Sequence, residues 1–95
     1  MRIAETIGTV TLGKCHPSLT GATWLVAVPL TLEGLAGKHA GRGEPFVVFD
    51  ENGAGVGSRI AVSEGAEAAA PFHPQTKPID AYNAAILDTI EFEQL

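Results

Sequence analysis

Residues 46–62 read FVVFDENGAGVGSRIAV, and this stretch decides the fold of the chain. It predicts two short β-strands, Phe46–Phe49 and Arg59–Val62, because both runs are apolar and rich in strand-forming residues. The pair Asn52-Gly53 favours a hairpin between them, since both residues accept a positive φ. The loop carries two more glycines than a simple turn needs, so it has a further structural or functional role.

Two more strands are predicted before this hairpin. Ile3–Leu12 is rich in Ile, Thr and Val, but its apolar residues change faces, and a bulge near Gly8 would reconcile them. Trp24–Val28 is a nearly continuous apolar run, which Pro29 ends because proline cannot donate a ladder hydrogen bond. Strongly bent strands are what a small barrel requires.

The C-terminal part of the chain predicts a loop, a helix and a strand in that order. Residues 64–77 are rich in alanine and proline and are expected to form an irregular excursion. Asp80 is expected to cap a short helix over Ala81–Leu87. Thr89–Glu93 alternates polar and apolar residues, which favours a terminal strand. Residues 1–95 are therefore predicted to form one all-β domain, a small barrel with one short helix.

The composition predicts association of identical copies. The chain has 95 residues, of which 45% are hydrophobic and 18% are charged, so one small core cannot bury all of its apolar surface. Cys15 is the only cysteine, and no disulfide can form within the chain. Oligomerisation is one of the few remaining ways in which so small a domain is stabilised.

Charge and hydropathy argue against two classes of partner. Six basic residues against eleven acidic ones give a net charge of −5, whereas nucleic-acid affinity comes mainly from basic groups that neutralise phosphates. Residues 24–30, the longest strongly apolar stretch, are too few to span a bilayer. The first residues lack the apolar core of a signal peptide. We therefore expect a cytosolic protein with neither nucleic-acid nor membrane partners.

No side-chain pattern predicts catalysis, a metal site or a cofactor. The glycines of residues 53–57 precede a strand, whereas a dinucleotide-binding loop precedes a helix. The cysteine and the histidines fit no zinc-ligand spacing, and the serines lack the setting of a catalytic nucleophile. The loop carboxylates are typical of a solvated surface.

Two alternatives to a structural role stay open. One is a small ligand-binding oligomeric subunit, although the sequence offers no converging polar groups for a pocket. The other is an oligonucleotide-binding barrel whose aromatic side chains stack on single-stranded bases, although no basic groove accompanies them. The aromatic residues are Trp24, Phe46, Phe49, Phe72, Tyr82 and Phe92.

Four groups of segments together suggest a family. They are Met1–Val10 with Pro17–Gly21, Val28–Leu30, Asp50–Val62, and Pro78–Ile90. In this order, over nearly the whole chain, they resemble the EutN/CcmL family of bacterial microcompartment vertex proteins. The resemblance implies an oligonucleotide-binding-like barrel with a short C-terminal helix, five copies of which close a vertex of a polyhedral shell. It also implies hexameric shell proteins as partners, a place in the shell in the bacterial cytoplasm, and no enzymatic activity.

Two groups of residues are candidates for contacts in such an assembly. Asn52, Gly53, Ala54, Gly55, Val56 and Gly57 are predicted to lie at a subunit interface or near the symmetry axis, because glycines permit close approach of another chain. Asp80, Ile86, Asp88 and Ile90 are candidates for C-terminal packing or interface contacts. The chain departs from many relatives at Gly65–Ala69, where those relatives have a small-residue run ending in arginine, so the contacts of that arginine are not expected here.

Overall fold

The computed structural model describes residues 1–93, which form a closed barrel of five strands. The strands are β1 (Arg2–Val10), β2 (Thr23–Pro29), β3 (Phe46–Asp50), β4 (Arg59–Glu64) and β5 (Ala81–Leu87). Around the barrel their order is β1-β2-β3-β5-β4, and β4 pairs with β1 to close it. The predicted hairpin between β3 and β4 is wrong, because β5 lies between these two strands. Strands β3 and β5 run parallel and meet at Phe49 and Tyr82, whereas the other neighbours are antiparallel. Residues 94 and 95, the end of the predicted domain, lie outside the described residues.

The predicted bulge in the first strand is confirmed. Thr6 pairs with Ala27 of β2 and Gly8 pairs with Val26, so Ile7 is the extra residue of β1. The bulge changes which face the following residues occupy, and it bends the strand as a closed barrel requires. The predicted barrel is therefore confirmed together with the irregularity that shapes its first strand.

The predicted C-terminal helix is wrong, because Ala81–Leu87 is strand β5. Six residue pairs join it to β4, and this pairing overrides the helical propensity of its three alanines. Asp80 therefore caps no helix; its carbonyl oxygen accepts a hydrogen bond from the N–H of Gly65 (2.9 Å). The predicted terminal strand over Thr89–Glu93 is also not formed, since these residues have no regular secondary structure.

Short helical segments lie in the connections instead. They are α1 (Leu32–Leu35), α2 (Ala66–Ala69) and 3₁₀ turns at Pro17–Leu19, His39–Gly41 and Ala70–Phe72. The connection between β2 and β3 is tightly packed, because the backbones of Gly34 and Gly41 touch. A Cβ atom added to Gly41 would lie 1.9 Å from the backbone nitrogen of Gly34, so no side chain fits there.

The core inside the barrel is small. It consists of Ala4, Leu25, Ala27, Val48, Ala54, Ile60, Val62 and Ala81. Half of these eight side chains are single methyl groups, so the interior contributes little apolar burial for a domain of this length. This agrees with the composition, which places part of the apolar surface outside the core.

Candidate assembly interface

A buried carboxylate organises the loop between β3 and β4. Asp50 is 3% exposed. Its Oδ2 accepts hydrogen bonds from the N–H groups of Gly53 (3.0 Å) and Ala54 (3.1 Å). Its Oδ1 accepts from the N–H of Asn52 (3.0 Å) and from the side-chain amide of Asn83 (2.8 Å). These four donors converge on one carboxylate, and hydrogen bonds to a charged acceptor are stronger than those between neutral groups. They therefore hold the loop in one conformation.

Further hydrogen bonds attach both ends of the loop to the barrel. The side-chain amide of Asn52 donates to the carbonyl oxygen of Asn83 in β5 (2.9 Å). At the other end, the N–H of Gly57 donates to the carbonyl oxygen of Thr6 in β1 (2.7 Å). The loop is therefore fixed on two strands. Between these points Ala54 is buried in the core, whereas Gly53, Gly55 and Val56 are exposed to solvent.

At one glycine of the loop, neither the backbone conformation nor the space within the subunit requires glycine. Gly53 and Gly57 have φ values of +73° and +91°, which glycine adopts without steric cost. Gly55 does not have a positive φ, and a Cβ atom added there would meet no atom of the described residues within 4 Å. The next residue, Val56, is 71% exposed. A bare glycine beside an exposed apolar side chain suits close contact with a second chain.

Three of the four predicted C-terminal contact residues lie beside this loop. Ile86, Asp88 and Ile90 line a depression of about 370 Å³ together with Gly57 and its neighbours. Ile86 is 45% exposed. The structure thus brings three residues of the C-terminal group together with Gly57, the last residue of the predicted loop group. Asp80 precedes β5, whereas the depression lies at the far end of that strand, so Asp80 does not belong to this surface.

Asp50 and Asn83 build the loop, yet neither is among the predicted contact residues. The sequence could have indicated the role of Asp50, because an aspartate before glycines commonly accepts a hydrogen bond from the backbone N–H two residues further on. Asn83 has no such local signal. It lies 33 residues away and meets Asp50 because β5 is placed beside β3.

A tyrosine links the loop to the outer wall of the barrel. The hydroxyl of Tyr82 donates to Oε1 of Glu51 (3.0 Å). Burial, the hydrogen bond to Glu51 and the negative charges of Glu51 and Asp50 together raise the pKa of Tyr82 above its ordinary value of 10.0. The ring of Tyr82 also stacks on Phe49, with 6.1 Å between the centroids.

Four aromatic side chains pack against one another on the outside of the barrel. Phe49 contacts Trp24 and Phe72, each with 5.3 Å between ring centroids, in addition to Tyr82. The ammonium group of Lys77 lies 4.9 Å from the Phe72 centroid. Trp24 and Phe49 are only 8% and 4% exposed, so their faces are occupied by protein and are not available to stack on bases. Packing, rather than base recognition, accounts for these residues.

An open recess at the end of β2 does not have the shape of a small-molecule site. It measures about 520 Å³, is open to solvent, and is lined by Arg2, Pro29, Leu30, Thr31, Gly43, Glu44, Pro45 and Phe46. The guanidinium of Arg2 lies over the Phe46 ring at 5.0 Å. Binding pockets usually enclose their ligand and bring several polar groups together. Within residues 1–93, no three His, Cys, Asp or Glu side chains are grouped so that they could hold a metal ion.

The helices in the described part of the chain are neither long enough nor apolar enough to cross a membrane. What the geometry defines is a small closed β-barrel with a preformed glycine loop and apolar side chains left exposed beside it. Over residues 1–88 the sequence matches the model of a family described as ethanolamine utilisation protein EutN/carboxysome. The chain therefore belongs to the EutN/CcmL family.

Individual relatives agree with this family. The chain is 38% identical over 93 residues to the carboxysome shell vertex protein CcmL of Synechococcus elongatus, which covers 98% of this chain and 89% of that protein. It is 35% identical to the pentameric microcompartment shell protein GrpN of Rhodospirillum rubrum, with a TM-score of 0.81 and coverage of 98% and 100%. For CcmL of Nostoc sp. PCC 7120 the identity is 32%, the TM-score 0.80 and the coverage 95% and 92%. These similarities confirm the predicted family and the predicted barrel.

Proposed function

We propose that this chain forms homopentamers that close the vertices of a polyhedral microcompartment shell in the bacterial cytoplasm. The names of two relatives support this proposal, since one is a carboxysome shell vertex protein and another a pentameric microcompartment shell protein. In this role the chain is structural and catalyses no reaction. Hexameric shell proteins that tile the facets are its partners.

The observation that carries the proposal is the preformed loop with its exposed apolar tip. An exposed segment normally loses conformational freedom when it binds, and that loss weakens the complex. Here Asp50 already holds the loop rigid through four hydrogen bonds. Val56 therefore reaches a second chain with little further ordering, and Gly55 lets the two backbones approach closely.

Native mass spectrometry of the purified chain tests the assembly. The subunit mass is 9.9 kDa, so a pentamer has five times that mass, about 50 kDa. A dominant species of this mass supports the proposal, and so does co-purification with a hexameric shell protein expressed in the same cells. A monomer at micromolar concentration would refute it. Salt-dependent binding of single-stranded nucleic acid would favour the competing function.

Gly55→Val tests the loop specifically. The added side chain has free space within the subunit, so the barrel should fold normally while the pentamer fraction falls by more than about tenfold. Gly13→Val is the matched control, because Gly13 also has no atom of the described residues within 4 Å of a built Cβ. We expect the control to stay pentameric. If Gly55→Val is fully pentameric too, the loop is not at the interface.

A further inference from the structure

The dipeptide Asn52-Gly53 has the chemistry of a self-modifying site. Asparagine side chains are chemically labile, because the backbone nitrogen of the next residue can attack the side-chain carbon. Glycine in that next position has no Cβ atom to hinder the approach, and its backbone rotates freely. Asn52 is exposed, so water reaches it. The other asparagine of the chain, Asn83, is buried and precedes Ala84, so it lacks these features.

The reaction at this dipeptide is deamidation. The backbone nitrogen of Gly53 forms a bond to Cγ of Asn52, which closes a succinimide ring. The bond between Cγ and Nδ2 breaks, and the amino group leaves as ammonia with the proton that the Gly53 nitrogen has lost. Water then opens the ring at either carbonyl group and leaves aspartate or isoaspartate at position 52. Water is consumed, ammonia is released, and nothing is oxidised or reduced.

In the folded loop the attacking nitrogen is held by a carboxylate. The N–H of Gly53 donates to Oδ2 of Asp50 (3.0 Å), and such bonds to a charged acceptor are strong. A carboxylate is far too weak a base to remove a backbone amide proton. Its negative charge instead opposes the charge that develops on the Gly53 nitrogen as that proton leaves. Asp50 therefore slows the first step.

The group under attack is held as well. The side-chain amide of Asn52 donates to the carbonyl oxygen of Asn83 in β5 (2.9 Å), and its backbone N–H donates to Oδ1 of Asp50 (3.0 Å). These bonds fix both the side chain and the backbone of Asn52. Ring closure requires the nitrogen to approach Cγ in one particular orientation, which a free chain finds by rotation and a fixed loop does not.

We infer that Asn52 is a site of spontaneous deamidation, which the folded loop suppresses and which reacts when the loop opens. The rate then follows the fraction of time that the loop spends open. The protecting bonds all lie within one subunit. The inference therefore goes beyond the proposed shell role and does not depend on it.

The modification prevents the loop from closing again. A carboxylate at position 52 follows Asp50 and Glu51 directly, and it presents an acceptor to the carbonyl oxygen of Asn83, where the amide had presented a donor. Isoaspartate also adds a methylene group to the backbone, which displaces the N–H groups that bind Asp50. Asn52→Asp, which reproduces one product, should therefore unfold at a lower urea concentration than the wild type. An unchanged midpoint would contradict this consequence.

Mass spectrometry of tryptic peptides measures the reaction. Residues 43–59 form one peptide, because Arg42 and Arg59 flank it. The wild-type chain is incubated folded and in guanidinium, at the same mildly alkaline pH and temperature. Asn52 should convert more slowly in the folded chain by more than about tenfold, which corresponds to about 1.4 kcal/mol in the barrier. Asn83 is the internal reference and should convert far more slowly than Asn52 in guanidinium. Equal rates at Asn52 in both samples, or no conversion in guanidinium, would overturn the inference.

A pair of variants separates local protection from overall stability. Asp50→Ala removes the acceptor without adding another asparagine, whereas Gly41→Ala destabilises a connection that does not touch the loop. The two are compared under conditions in which circular dichroism shows the same folded fraction. Asp50→Ala should then deamidate faster by about tenfold or more. Equal rates would show that the bonds to Asp50 do not protect Asn52.

Gly55→Val separates the loop from the assembly. This variant should fold without forming the ring, and Asn52 should stay protected in it. A folded Gly55→Val monomer that deamidates as fast as the chain in guanidinium would show that assembly protects Asn52, and the inference would fail. A wild-type chain that forms no pentamer but deamidates slowly would refute the proposed function and leave this inference standing.

Discussion

Replacing Asp50 by asparagine should destabilise this protein far more than an isosteric change normally does. Each carboxylate oxygen accepts two hydrogen bonds, from Asn52 and Asn83 on Oδ1 and from Gly53 and Ala54 on Oδ2. An amide keeps only one oxygen, so either orientation loses two bonds and points an NH₂ group at two donors. At roughly 1.5–3 kcal/mol for each bond to a charged group, the expected loss is about 3–6 kcal/mol.

Such a loss is a large part of the free energy of unfolding of an ordinary domain, which is roughly 5–15 kcal/mol. Urea unfolding followed by the fluorescence of Trp24, the only tryptophan, measures it. With a slope of about 1.5 kcal/mol per molar, the midpoint should fall by about 2 M or more. Wild type and variant are compared at equal subunit concentration, because the unfolding of an oligomer depends on concentration.

Glu51→Gln is the matched control for Asp50→Asn. It also removes one negative charge from the loop, but Glu51 is exposed and its amide replacement still accepts from Tyr82. Its effect should stay within about 0.5 kcal/mol. If Asp50→Asn costs less than about 1 kcal/mol, the buried carboxylate does not hold the loop and the reasoning from its four hydrogen bonds is refuted.

Two further predictions concern other parts of the barrel. Gly41→Ala should cost about 1–3 kcal/mol or more in urea unfolding, because its Cβ would overlap Gly34; an equal effect of Gly13→Ala, which meets nothing, would contradict this. The single tyrosine, Tyr82, should ionise above pH 10.0 when titrated by tyrosinate absorbance. Its raised pKa means that folding favours the protonated form, so stability should be independent of this group below about pH 10 and should fall as the pH rises through the raised pKa. Tyr82→Phe should remove that fall; an unchanged pH dependence would contradict the assignment.

The first four predicted strands follow from features that act over a few residues. Pro29 ends β2, and the change of faces near Gly8 indicates a bulge, which the structure has. The hairpin predicted at Asn52-Gly53 is not formed, because β5 separates β3 from β4. Such signals depend on φ preferences and on missing N–H donors, which are properties of the residues themselves. The sequence motifs were also sufficient to identify the EutN/CcmL family.

The errors lie where distant segments meet. Ala81–Leu87 contains good helix formers behind an aspartate, yet it completes the barrel because β4 and β3 offer it backbone partners. Helical propensity amounts to tenths of a kcal/mol per residue, and pairing along a closed sheet outweighs it. Thr89–Glu93 alternates like a strand but forms no regular structure within the described subunit.

By itself the sequence determined a small, acidic, mostly β chain with one cysteine, a glycine-rich turn and too little core for its apolar content. Only the tertiary structure decided that Asn83 and Asp50 meet, that Phe72 covers Phe49, and that Val47 is left exposed. The physical reason is that turns and strand preferences arise from neighbouring residues. Burial and exposure arise instead from the order in which the strands close the barrel.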